Sequence, residues 1–137
     1  MATVIRRGML KPLRYPRSWL GLWGLAIASV IVVCLMPSQS LPPLPRDSDK
    51  IQHLLGYFVL AAAAVQIFRR DRSLWMVAVG LVAMGIGIEF AQGALTDTRA
   101  RDPLDAVANT IGVLLGMAVA FSPWRDLLQR LESRFLR

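Results

Sequence analysis

The chain has 137 residues, room for one domain of ordinary size and not for two. Hydrophobic residues make up 55% and charged residues 18%, with a mean hydropathy of +0.47, whereas a soluble domain averages about 45–50% apolar and about 25% charged; that excess excludes a disordered chain and points to a membrane. Sixteen Lys and Arg against nine Asp and Glu give a net charge of +7, so nucleic-acid binding has to be weighed, while the single cysteine, Cys34, excludes an internal disulfide framework and a cysteine-rich zinc site.

Residues 1–18 form a basic segment with Arg6, Arg7, Lys11, Arg14 and Arg17. The first apolar run, Trp19 to Met36, stops at Pro37, which cannot continue a helical hydrogen-bond ladder. This run is longer than the apolar part of a secretion signal, and no small-x-small cleavage pattern follows it. Ile31-Val32-Val33 also lacks the small residue expected before a lipoprotein cysteine, so the run reads as a retained helix with Cys34 as an apolar or lipid-facing residue. Pro37 to Pro45, with four prolines, reads as an extended loop.

Three further runs follow, at about 51–68, 74–92 and 104–121. Each is long enough to cross the hydrocarbon core as a helix. The third is interrupted only by Glu89, and the fourth carries Asp105 and Asn109 near its start. Short connections demand antiparallel neighbours. The expected fold is therefore all-α: a polytopic membrane protein with four transmembrane helices in an antiparallel bundle over 19–121, followed by a tail at 122–137. In that tail Ser122 can cap a helix with Pro123 at its first position, and Trp124, Leu127, Leu128, Leu131 and Phe135 share one stripe. An amphipathic helix lying on the cytoplasmic surface is expected there.

Lys and Arg near helix ends are retained in the cytoplasm. Twelve of the sixteen fall in the N-terminal segment, the second loop (Arg69, Arg70, Arg72) and the tail (Arg125, Arg130, Arg134, Arg137), leaving Arg46, Lys50, Arg99 and Arg101 on the other face. The chain is thus expected in the cell membrane, the inner one in a Gram-negative cell, with both termini cytoplasmic and the polar residues facing outside or the periplasm. Topology and anionic lipid account for the high pI, and nucleic acid is not an expected partner.

With this orientation the polar residues of the helices fall at the outer side. Asp49, Lys50, His53 and Tyr57 begin the second helix, Glu89 and Gln92 end the third, and Asp102, Asp105 and Asn109 begin the fourth. Their three- and four-residue spacings put each set on one stripe. Charge inside a membrane is costly and calls for pairing or a wet pocket, so a functional site is expected there. Glu89 in particular calls for a basic partner, with Arg99 or His53 the candidates. The loop residues Arg46, Asp47, Asp97 and Arg101 read instead as solvated surface pairs. On the fourth helix Ala108, Gly112, Gly116 and Ala120 recur every four residues, a face for close packing, and Gly80, Gly85 and Gly87 of the third can serve likewise. Trp75 and Trp124 read as interfacial anchors. The first helix contributes no ionisable residue and is expected at the periphery.

Asp49-Lys50-x-x-His53-x-x-x-Tyr57, then Glu89-x-x-Gln92, then Arg99-x-x-Asp102-x-x-Asp105-x-x-x-Asn109-x-x-Gly112-x-x-x-Gly116, resembles the VanZ-like membrane protein family, named after a glycopeptide-resistance protein associated with teicoplanin. The blocks span about half the chain in the family's order. The resemblance marks Asp49, Lys50, His53, Tyr57, Glu89, Gln92, Arg99, Asp102, Asp105 and Asn109 as the family's polar positions. It supplies no reaction, and it leaves the first helix and the tail outside its motifs.

Three functions fit these residues. An enzyme acting on a lipid headgroup or lipid-linked cell-envelope intermediate would hold a phosphate or carboxylate with Lys50 and Arg99, use His53 and Glu89 as acid and base, and orient them with Asp102 or Asp105. A binding pocket would use Asp49, Lys50, Tyr57, Gln92, Arg99 and Asn109 without turnover. A structural protein would use the cluster to lock its helices. Membrane lipid or a lipid-linked intermediate is the expected partner, and a homo-oligomer is left open. No cofactor is assigned. One histidine among carboxylates is sparse for zinc and no HExxH pattern occurs, so no metal is assigned either. A proton pathway or channel is disfavoured because the inner halves of the helices carry no ionisable residue.

Overall fold

A computed structural model describes residues 8–37, 40, 45, 48–95 and 102–135. The described residues form an all-helical fold with helices α1 (Pro16–Leu35), α2 (Ser48–Ile67), α3 (Arg72–Leu95) and α4 (Pro103–Ala118), the last continuing as a 3-10 turn over Val119–Phe121. A second 3-10 turn (Pro123–Asp126) leads into α5 (Leu127–Phe135). Four of these elements are long and apolar enough to cross a membrane. Their outward residues agree with that: Leu25, Val59, Val79 and Leu114 are each more than half exposed, an apolar surface that water would not tolerate and lipid would. The chain is a membrane protein.

Helix boundaries follow local chemistry. α1 opens with Pro16 at its first position, where a missing N–H costs nothing, and runs three residues ahead of the expected Trp19. It closes where Met36 turns to extended backbone before Pro37. α4 opens the same way with Pro103, and Asp102 caps it by accepting the Leu104 N–H on Oδ1 at 2.9 Å.

Consecutive helices alternate in direction, as expected, but the closest pair is not consecutive. α2 and α4 pack most extensively, and they run parallel: His53 meets Asn109, Gly112 lies on Leu54 and Phe58, and Gly116 lies on Phe58 and Ala61. The small-residue face of α4 explains this intimacy. A Cβ at Gly112 would strike the Leu54 carbonyl oxygen and come within 3.0 Å of the Phe58 nitrogen, and one at Gly116 would come within 2.6 Å of both the Phe58 oxygen and Ala61 Cβ. Close backbone approach of this kind is how helices associate in lipid, where the hydrophobic effect between them is lost. Gly85 of α3 has a similar role against Tyr57 and Asn109, whereas Gly80 and Gly87 face open space.

α1 lies outside this core and buries none of its residues. Trp23 fastens it to α2, donating its indole N–H to the Leu60 carbonyl at 2.9 Å and meeting the Phe68 ring edge-on with centroids 5.2 Å apart. The peripheral position expected for α1 holds, with one addition: the Cys34 carbonyl accepts the Gln92 amide at 2.8 Å.

At the end where α1 and α3 begin, α5 folds back rather than lying free. Leu128 packs on the core, and Gln66 ties the turn down by donating to the Trp124 carbonyl at 3.1 Å and accepting the Leu128 N–H at 3.2 Å. Buried Glu132 accepts the Arg14 N–H at 2.7 Å, the Tyr15 N–H at 3.2 Å and the Trp19 indole N–H at 2.6 Å. Tyr15 precedes α1 and offers no capping side chain of its own, so a carboxylate from the other end of the chain satisfies donors at the helix start. Lys11, buried as well, donates to the Arg125 carbonyl at 2.6 Å and to Asp126 Oδ1 at 2.8 Å. An isolated bridge between Leu10 and Phe68 completes the clasp. Trp75, Trp124 and Phe135 remain more than half exposed around it, as interfacial anchors would.

Candidate functional site

The polar residues gather at the opposite end of the bundle. α2 brings Asp49, His53 and Tyr57 down one face at four-residue spacing, and its parallel partner α4 brings Asp105 and Asn109 to the same depth. α3 arrives from the other direction with Gly85 and Glu89 on its inner face.

Lys50 bridges the two carboxylates of the α4 start, lying 2.7 Å from Asp102 Oδ2 and 3.4 Å from Asp105 Oδ1. Asp102 thus caps its helix with one oxygen and pairs with the other. The Lys50 ammonium, helped by the Leu104 N–H, holds the Asp102 carboxyl below its usual range. One turn deeper, His53 Nδ1 lies 3.1 Å from Asn109 Oδ1. This hydrogen bond places the imidazole proton on Nδ1, since an amide oxygen only accepts. Nε2 is then turned to Asp49 Oδ1 at 3.8 Å and Asp105 Oδ2 at 3.7 Å, beyond hydrogen-bond reach of either.

Glu89 Oε2 accepts the Asp102 backbone N–H at 3.2 Å, a donor at the helix junction, and among the described residues no lysine, arginine or histidine pairs with it directly. Arg99, one of the two basic partners expected for it, lies outside the described residues. The other Glu89 oxygen, Oε1, is buried without a hydrogen-bond partner among the described residues, and so are the Tyr57 hydroxyl and Asn109 Nδ2. These three orphans come from three helices, and two of the side chains meet at Gly85, whose missing Cβ would lie 3.1 Å from Asn109 Nδ2 and 3.4 Å from Tyr57 Cε1. Each unpaired group carries a desolvation cost of about 1–3 kcal/mol.

Nine of the ten residues singled out in the sequence are described, and eight of them meet in this cluster. Gln92 points instead at α1, as above. Arg99 lies outside the described residues, as do Arg46, Asp47, Asp97 and Arg101 with the surface pairing expected of them. The sequence did not reveal Lys11, Asp126 or Glu132, because their partners lie more than a hundred residues away and no local spacing marks them.

Comparison with models of known families, with curated proteins and with solved structures finds no match to this chain.

Proposed function

We propose that the cluster binds the polar headgroup of a membrane lipid or lipid-linked cell-envelope intermediate at the outer rim of the membrane, in the manner of a VanZ-like protein. The observation that carries this reading is the set of three buried, unpartnered polar atoms, Tyr57 Oη, Asn109 Nδ2 and Glu89 Oε1, beneath a rim where Lys50 and Asp49 remain accessible. Buried polar groups are normally paired. A hydroxyl donor, an amide donor and a carboxylate acceptor are what a hydroxyl- and phosphate-bearing headgroup would satisfy, with the Lys50 ammonium as the charge for a phosphate or carboxylate. The twelve-to-four distribution of basic residues supports an orientation with this rim outside and both termini in the cytoplasm. A link to glycopeptide resistance of the teicoplanin type belongs to the same proposal and rests on the resemblance alone.

Binding is favoured over turnover, because His53 and Glu89 are held by Asn109 and by the Asp102 backbone. One observation favours a structural reading: Tyr57 and Asn109 are each 1% exposed, the burial expected of a lock between α2, α3 and α4. Native extraction followed by lipid mass spectrometry separates the two. An envelope lipid retained by wild type and lost from His53→Ala and Glu89→Ala supports the pocket; equal lipid content in all three supports the lock.

A further inference from the structure

We infer that Asp49, His53 and Asp105 form a binding site for one divalent first-row metal ion of the zinc or manganese class. Each offers one ligand atom, and the three atoms lie within 4.8 Å of one another. The site needs no assumption about what else the polar cluster binds.

The first argument is the direction of the imidazole. Asn109 Oδ1 accepts from Nδ1, so the ring turns Nε2 to two carboxylate oxygens at 3.7 and 3.8 Å, where a metal ion would take its lone pair. Two carboxylates and a ring nitrogen around one gap favour a cation in it. An ion with bonds of 2.0–2.2 Å in tetrahedral geometry sets its ligands about 3.3–3.6 Å apart, a few tenths of an ångström tighter than the two His53 distances and inside the 4.8 Å that bounds all three atoms, and the exposed Asp49 side chain is free to close the gap. A metal-bound histidine that donates its other N–H to an oxygen is the usual arrangement outside the first coordination sphere, and Asn109 supplies it here.

The second argument is charge. Asp49, Glu89, Asp102 and Asp105 stand against Lys50 among the described residues of this end, and Lys50 is engaged by Asp102 and by Asp105 Oδ1. Asp105 therefore divides its oxygens, one to the ammonium and one to the gap. Glu89, only 3% exposed with Oε1 unpartnered among the described residues, is a further buried acceptor at this end of the bundle, and a divalent ion would lower the net negative charge there. One imidazole with carboxylates and no thiolate suits zinc or manganese over softer ions. Because Asp49 is exposed, the ion would stay open to the rim.

The test is titration of chelator-treated, full-length protein in detergent with Mn2+ alone, followed by loss of the free-ion paramagnetic resonance signal, with Zn2+ as competitor. The expected result is one Mn2+ per chain, displaced by Zn2+. Asp49→Asn weakens binding by about tenfold or more, Asp105→Asn and His53→Ala abolish it, and Asp71→Asn at the opposite end leaves it unchanged. Helical content by circular dichroism identifies any variant that fails to fold. Asp49 is exposed, so Asp49→Asn decides the matter if His53→Ala does not fold. Absence of stoichiometric binding of either ion, or binding undiminished in Asp49→Asn, overturns the assignment.

Discussion

His53 on α2 and Asn109 on α4 share a buried hydrogen bond of 3.1 Å between two helices that run parallel. Parallel neighbours joined through an intervening α3 bring equivalent ends to the same side of the membrane, which is why residues 56 positions apart in the chain build one site. The pairing depends on Gly112 and Gly116 below it, because only their lack of a Cβ lets α4 approach α2 closely enough for the side chains to meet.

Gly112→Ala and Gly116→Ala should therefore each destabilise the fold by about 1–3 kcal/mol, the range for overpacking against backbone that cannot move aside. Gly87→Ala, facing open space, should not. Thermal unfolding in detergent checks this, and an unchanged midpoint for Gly116→Ala would show that the helices are not in backbone contact.

The Tyr57 hydroxyl is buried and unpartnered. Tyr57→Phe removes a desolvated polar group while keeping the ring, so stability should hold or rise by about 1 kcal/mol while lipid retention falls. Marked destabilisation would mean that the hydroxyl has a structural partner after all.

The clasp at the other end should respond to acid. Burial pushes the Glu132 carboxyl up, but the Arg14 N–H, Trp19 indole and Tyr15 N–H outweigh it and hold the group below its ordinary 4.5. Asp126 is likewise held down, chiefly by Lys11. Groups with depressed folded values contribute stability that is complete above their unfolded values and disappears as pH falls through the folded ones. Limited proteolysis should find α5 protected from neutral pH down to the upper edge of the carboxylate range, and released below it. Glu132→Gln should release it at neutral pH; unchanged protection in that variant would refute the clasp.

Topology is open to cysteine labelling in a Cys34→Ser background. Probes replacing Ser40 and Thr98 should react with an impermeant reagent from outside, and probes replacing Ser73 and Ser133 should react only after permeabilisation. The reverse pattern would move the polar cluster to the cytoplasmic leaflet.

Much of this was legible in the sequence. Uninterrupted apolar runs locate membrane helices almost by length alone, and Pro37 marks the end of the first. The convergence of Asp49, His53, Asp105 and Asn109 was readable from their shared spacing and position near one rim. The partners within that rim were not. Glu89 pairs with a backbone N–H at a helix junction, which no side-chain inventory reveals. Gln92 turns to a carbonyl of α1, a helix with no polar motif to announce it. Glu132 caps the start of α1 across 113 residues, a contact set by the fold and not by any local pattern.

The most direct measurement is the amount of lipid retained by Glu89→Gln after native extraction, compared with wild type and with Leu81→Gln. The amide keeps the shape and the Asp102 hydrogen bond of Glu89 while removing its charge, so this variant should fold normally and lose the bound lipid. Leu81→Gln puts a polar group into the buried core of α3 and should harm insertion or packing first. Wild-type lipid content in well-folded Glu89→Gln would contradict a headgroup site and leave the cluster as a lock between helices.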